Sequence, residues 1–98
     1  MGMTFELTLY AADEATANRA AGAANLRIAE LNAILSDYDP HSELSRLSDT
    51  AGTGRDVKLS ESLWFVLSRS QDLAQRTAGA FDVTVGPVVK LWRRARRQ

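Results

Sequence analysis

The sequence predicts an α+β fold, a small mixed or antiparallel sheet with two main helices packed on one of its faces. Residues 4–9 alternate Phe5, Leu7 and Leu9 with Thr4, Glu6 and Thr8, and residues 81–85 alternate Phe81, Val83 and Val85 with Asp82 and Thr84. That period of two is the signature of a half-buried strand. Residues 11–37 and 60–78 instead carry apolar side chains three and four apart, the period of a helix with one buried face.

Ninety-eight residues with 45% hydrophobic content allow a single small domain, residues 1–98, with one core. Twelve basic and twelve acidic residues cancel, so no overall field recruits nucleic acid or an anionic membrane. The absence of cysteine excludes disulfides, thiolate metal sites and a cysteine nucleophile. No apolar run approaches the ~20 residues of a membrane span, and no charged-then-apolar leader precedes Met1. The expectation is that nothing in this chain anchors or exports it.

In chain order, the first strand covers residues 4–9. The helix over 11–37 opens on Asp13 and Glu14, which suit the positive end of the helix dipole, and buries Ala17, Ala21, Ala24, Ile28, Leu31 and Leu35. Pro40 restricts Asp39 to extended backbone and ends that helix, so residues 36–45 form a polar loop. Asp37, Asp39, His41 and Glu43 fall at every second position there, but the glycine and spacing of a calcium loop are missing. Tyr38 has a ring that can stack on a flat heteroaromatic or pack over the helix end. Ser42 and Glu43 double as a helix-start signal.

Gly52 and Gly54 mark a loop, and residues 56–59 make a third short strand. Ser60 caps the second helix, whose buried face is Leu63, Val66, Leu67, Ser70, Leu73, Ala74 and Thr77, with Trp64 at its edge packing under a neighbouring element. Gly79 ends that helix in a left-handed conformation, and Gly86-Pro87 suits a turn with proline at the start of a further helix. On the strand between them, Ala80, Asp82 and Thr84 share one face. Arg93, Arg94, Arg96 and Arg97 follow Trp92 without further interleaved aromatics, which reads as a solvated helix face rather than a nucleic-acid tail.

The string GAFDVTVGPVVKLW over residues 79–92 resembles the Gly-Ala-Phe-Asp-[Ile/Val]-Thr-Val-Gly-Pro-Leu-Val-x-Leu-Trp segment of the ApbE family, the FAD:protein FMN transferases. Met1-Gly2-Met3-Thr4-Phe5 resembles the family's Met-Gly-Thr opening, departing at Met3 where threonine is usual. Leu35-Ser36-Asp37-Tyr38 and Ser42-Glu43-Leu44 resemble its Leu-Ser-x-Tyr and Ser-Glu-Leu blocks, in the same order. The resemblance covers nearly the whole chain and implies the N-terminal portion of a larger ApbE-like domain. Its later glycine-rich, His-x-x-Asp-Pro-x-x-Gly and Asp-Ala-x-[Ser/Thr]-Thr segments are not found in these residues.

It also implies an activity: a threonine or serine hydroxyl of a target flavoprotein attacks FAD, with Mg2+ on the pyrophosphate, so that FMN is attached and AMP released. By the same resemblance Met1, Tyr38, Ala80, Phe81 and Asp82 contact the flavin nucleotide, with Thr84 a weaker candidate. No catalytic residue and no metal ligand is carried over, so this chain is expected to be inactive by itself. In its full-length form the family suggests an extracytoplasmic or periplasmic, membrane-anchored lipoprotein. Two other readings stay open, a flavin-binding module without catalysis and a structural fragment that self-associates. The exposed edges of a three-stranded sheet favour a homo-oligomer.

Overall fold

The computed structural model describes residues 4–96, and the regular elements among them are all helical: α1 (Glu14–Leu35), α2 (Glu43–Asp49), α3 (Glu61–Arg76) and α4 (Gly86–Ala95), with one 3-10 turn at Val83–Val85. No strand occurs among these residues, which corrects the predicted α+β fold and its sheet. The three alternating segments fail together for one reason. A strand satisfies its backbone only across a ladder, and residues 4–10 and 54–60 run without regular structure while residues 83–85 close a helical turn. Phe5, Leu7 and Leu9 are accordingly 49%, 44% and 43% exposed. The expectation of self-association through sheet edges loses its basis with the sheet.

The chain divides into two compact units, Met1–Leu63 and Trp64–Gln98. In the first, α1 starts later than the periodicity suggests because Asp13 is its cap. The Asp13 carboxylate accepts the Thr16 amide at 2.7 Å, and that bond, with the Thr16 hydroxyl, holds its titration below the ordinary aspartate range. Ala17, Ala21, Ala24, Ile28, Leu31 and Leu35 are all half-buried, as the stripe requires, whereas Leu26 on another face is 69% exposed. The helix ends at Ser36, whose backbone turns extended.

A knot of serine hydrogen bonds joins α1 to α2, which pack together. The fully buried Ser42 donates its hydroxyl to the Ser36 carbonyl at 2.6 Å and accepts the Ser45 amide at 3.0 Å, so one side chain closes α1 and opens α2. The Ser36 hydroxyl accepts the amides of Tyr38 and Asp39, both at 3.3 Å. Next, Glu43 reaches the start of α3, where its carboxylate accepts the Ser60 amide at 2.6 Å. The hydroxyl and amide of Ser60 hold the Glu43 carboxyl below its ordinary value. The Ser60 hydroxyl in turn accepts the Leu63 amide, and Leu63 is the one fully buried large apolar side chain among the described residues. Arg27 on α1 donates to the Ser62 hydroxyl at 3.0 Å and to Glu30 at 3.1 Å.

In the second unit Leu67, Ser70, Ala74 and Thr77 of the predicted α3 face are half-buried, whereas Val66 and Leu73 of that face are exposed, which corrects the expectation there. Trp64 departs from expectation: it is 64% exposed instead of packing under a neighbour. Arg69 lies over the Phe65 ring, 5.5 Å from its centre. The helix closes with the Gly79 amide on the Ala74 carbonyl at 2.9 Å and the Ala78 amide on Gln75 at 3.1 Å, the paired bonds of a Schellman end. Gly79 is left-handed as expected (φ +85°), but Ala78 shares that conformation (φ +50°). In α4, Pro87 occupies the first turn, where its missing N–H costs nothing.

Replacing Ser42 by alanine removes the α2 cap and strands the buried Ser36 carbonyl. The expected cost is roughly 1–3 kcal/mol of stability, against less than about 0.5 kcal/mol for the exposed Ser48→Ala. Urea denaturation followed by far-ultraviolet circular dichroism measures both.

Candidate functional site

Residues 77–85 link α3 to α4, and their own side chains hold the link. Thr77 is the hinge: its hydroxyl donates to the Leu73 carbonyl at 2.9 Å and accepts the Phe81 amide at 3.1 Å, while its carbonyl accepts the Ala80 amide at 3.0 Å. The backbone N–H groups of Ala80 and Phe81 are therefore committed to Thr77. The sequence placed Thr77 merely on a buried helix face; a threonine two residues before a helix-ending glycine was the signal that it also positions Ala80 and Phe81.

Asp82 stands at the centre of the turn. Its backbone is extended (φ −143°, ψ 117°), and its Oδ1 accepts both the Thr84 amide at 2.8 Å and the Thr84 hydroxyl at 2.7 Å. This is a side chain mimicking a backbone turn, and it starts the 3-10 turn that leads into α4. The Thr84 amide first, and its hydroxyl second, hold the Asp82 carboxyl below the ordinary aspartate range, so it is an anion at neutral pH. Both bonds fall on Oδ1, and Oδ2 faces solvent with acceptor capacity to spare. Phe81 beside it is 38% exposed. The link therefore exposes a carboxylate and part of an aromatic side chain next to each other.

Of the other residues that the sequence singled out, Tyr38 lies in the first unit, on the loop between α1 and α2, 64% exposed. Met1 lies outside the described residues. Ala80, Phe81 and Asp82 are thus brought together in one turn, and Thr84 joins them as the partner of Asp82. The alternating acids of residues 37–43 take separate structural tasks: Asp39 accepts the His41 amide at 2.8 Å and Glu43 accepts Ser60. Among the described residues no group of three His, Cys, Asp or Glu side chains is placed to hold a metal ion. None of their helices is long and apolar enough to cross a membrane.

The family model described as the ApbE family matches residues 1–98. The FAD:protein FMN transferase of Haemophilus influenzae is 41% identical over 63 residues, covering 64% of this chain and 18% of the relative. That of Klebsiella pneumoniae is 30% identical over 92 residues, covering 94% of this chain and 26% of the relative. The chain therefore spans only about a fifth to a quarter of the length of these curated relatives. No solved structure matches it.

The Asp82 geometry has a measurable titration. Because the folded carboxyl titrates below the unfolded one, its capping contribution is present at every pH above the ordinary aspartate value and is lost as the pH falls through the folded value. Carboxyl-carbon NMR shifts should place Asp82 below a solvated aspartate. Thr84→Val, which keeps the amide and removes the hydroxyl, should move it only part of the way back; no movement would contradict the bidentate arrangement.

Proposed function

The chain belongs to the ApbE family, and on that premise we propose that it is a flavin-recognising part of an FAD:protein FMN transferase. The observation that carries this is the link at residues 77–85, where the segment most like the family's sequence presents the ionised Asp82, with both Thr84 bonds on Oδ1, beside the Phe81 side chain. An anionic acceptor suits the N–H and hydroxyl donors of a flavin nucleotide, and an exposed ring suits its flat heteroaromatic part. Ala80 contributes its small side chain and carbonyl, since its amide is taken by Thr77. Tyr38 offers a second exposed ring.

The reaction proposed for the complete protein is the one that the family resemblance implies, and it balances. A hydroxyl of a threonine or serine on the acceptor flavoprotein attacks the phosphorus on the FMN side of the FAD pyrophosphate, the P–O bond to AMP breaks, and FMN remains in phosphodiester linkage. AMP carries away the negative charge and the acceptor hydroxyl gives up its proton. The Mg2+ that the family resemblance implies has no matching donor set among the described residues, so they do not fit the metal and no step is assigned to it. The role of this chain is to hold and orient FAD.

Substituting this chain for the matched segment of the Klebsiella relative should give a protein that binds FAD and transfers FMN to a threonine-containing acceptor, read by acceptor mass. In that protein Asp82→Ala should weaken FAD binding roughly tenfold, as expected for loss of a charge-assisted hydrogen bond, with Asp39→Ala near neutral. A folded chimera that binds no FAD would contradict the proposal. The 98-residue chain with FAD, Mg2+ and acceptor should produce no mass gain; transfer by it would place a metal site within this chain.

A further inference from the structure

Ala80, Phe81 and Asp82, read above as facing the flavin, are held on one side by Thr84 and on the other by a residue that faces no ligand. Thr77 is half-buried just past α3, and its hydroxyl is engaged in both directions. It donates to the Leu73 carbonyl at 2.9 Å, with the Ala74 carbonyl at 3.3 Å sharing the proton, and it accepts the Phe81 amide at 3.1 Å. A threonine hydroxyl has one proton to give, so none is left for a ligand. The Thr77 carbonyl accepts the Ala80 amide at 3.0 Å. One residue therefore ties the two amides that precede Asp82 to carbonyls in the last turns of α3.

The backbone between those ties is strained. Ala78 has φ +50° and Gly79 has φ +85°. Glycine adopts the left-handed conformation freely, whereas alanine brings its Cβ against the backbone there and persists only where surrounding bonds impose it. Two of those bonds, the Ala78 amide on the Gln75 carbonyl and the Gly79 amide on the Ala74 carbonyl, close the helix itself. Only the Thr77 pair reaches forward to the site. Ala80, Phe81 and Asp82 are exposed, so burial contributes little to fixing them.

We propose that Thr77 is a positioning residue for flavin binding: its hydroxyl orders residues 78–81 before the ligand arrives, so that Phe81 and Asp82 are presented in one arrangement. Ordering a segment costs conformational entropy, and a site ordered in advance does not lose that freedom on binding. This rests on the flavin reading of residues 80–82 and adds to it a side chain outside the contact set, one that sets affinity through the backbone of its neighbours.

Thr77→Val keeps the branched shape and removes the hydroxyl, and Thr77→Ser restores it. In the 98-residue chain, amide hydrogen exchange followed by NMR should show Phe81 exchanging roughly three- to tenfold faster in Thr77→Val, the range of one net hydrogen bond, with Thr77→Ser near the parent. In the chimera described above, Thr77→Val should raise the KM for FAD by a similar factor and leave kcat within about twofold, again with serine restoring it. A merely structural role would lower the melting temperature and leave both the KM and the exchange of Phe81 relative to its neighbours unchanged. Unchanged Phe81 exchange in Thr77→Val would overturn the positioning role whether or not the chimera binds FAD. So would a serine variant as impaired as the valine one, which would assign the effect to shape. Faster exchange with an unchanged KM would overturn the bearing of Thr77 on the ligand, and an unsubstituted chimera that binds no FAD would overturn the flavin reading and this inference with it.

Discussion

Where the described backbone leaves its helices it has no ladder to complete, and at the helix ends its amides and carbonyls are met by side chains a few residues away and by short backbone turns. Five small polar residues carry most of this: Asp13, Ser36, Ser42, Thr77 and Asp82. Each does at a helix end what a neighbouring strand would do in a sheet. The consequence reaches the whole architecture. Burial is slight, with Leu63 the only buried apolar residue among those described, so the hydrogen-bonded ends, more than a core, decide where each helix begins and stops.

The candidate site is made by the same economy. Asp82 caps the 3-10 turn with one oxygen, and in the function proposed above its other oxygen meets the ligand, so that reading has a single carboxylate link local folding to recognition. Removing it would remove both. Thr84 separates the two roles, because its hydroxyl contacts only the capping oxygen. Thr77 adds the upstream half of the frame by fixing Ala80 and Phe81 against the last turn of α3. The site is therefore assembled from residues within one stretch of sequence, which is why its segment reads as a block.

Three helix starts were legible in the sequence because capping chemistry is local: Ser42, Ser60 and Pro87 act where their residue types suggest, whereas Asp13, read as part of the first turn, is the cap itself. The apolar stripe of α1 was legible for the same reason, since helical periodicity needs no partner to define a face. Strands are different. Alternation at Phe5–Leu7–Leu9 and Phe81–Val83–Val85 says which side chains would share a face, but whether a strand forms depends on another segment far away in sequence. At residues 81–85 the local Asp82–Thr84 bonds win that competition. Trp64 was misplaced on similar grounds: its helix position was right, but nothing in the sequence says what covers that position. Of the candidate site, Ala80, Phe81 and Asp82 were singled out through the family string, and the bonds by which Thr77 holds Ala80 and Phe81 were not.

The central claim is that residues 81–85 are a side-chain-capped turn and not a strand. Nuclear Overhauser effects on the isotope-labelled chain test it most directly. The account predicts sequential amide-to-amide contacts from Val83 through Gly86 and small amide couplings at Val83–Val85. Strong sequential α-to-amide contacts with extended couplings from Val83 to Val85 would show a strand there and contradict it.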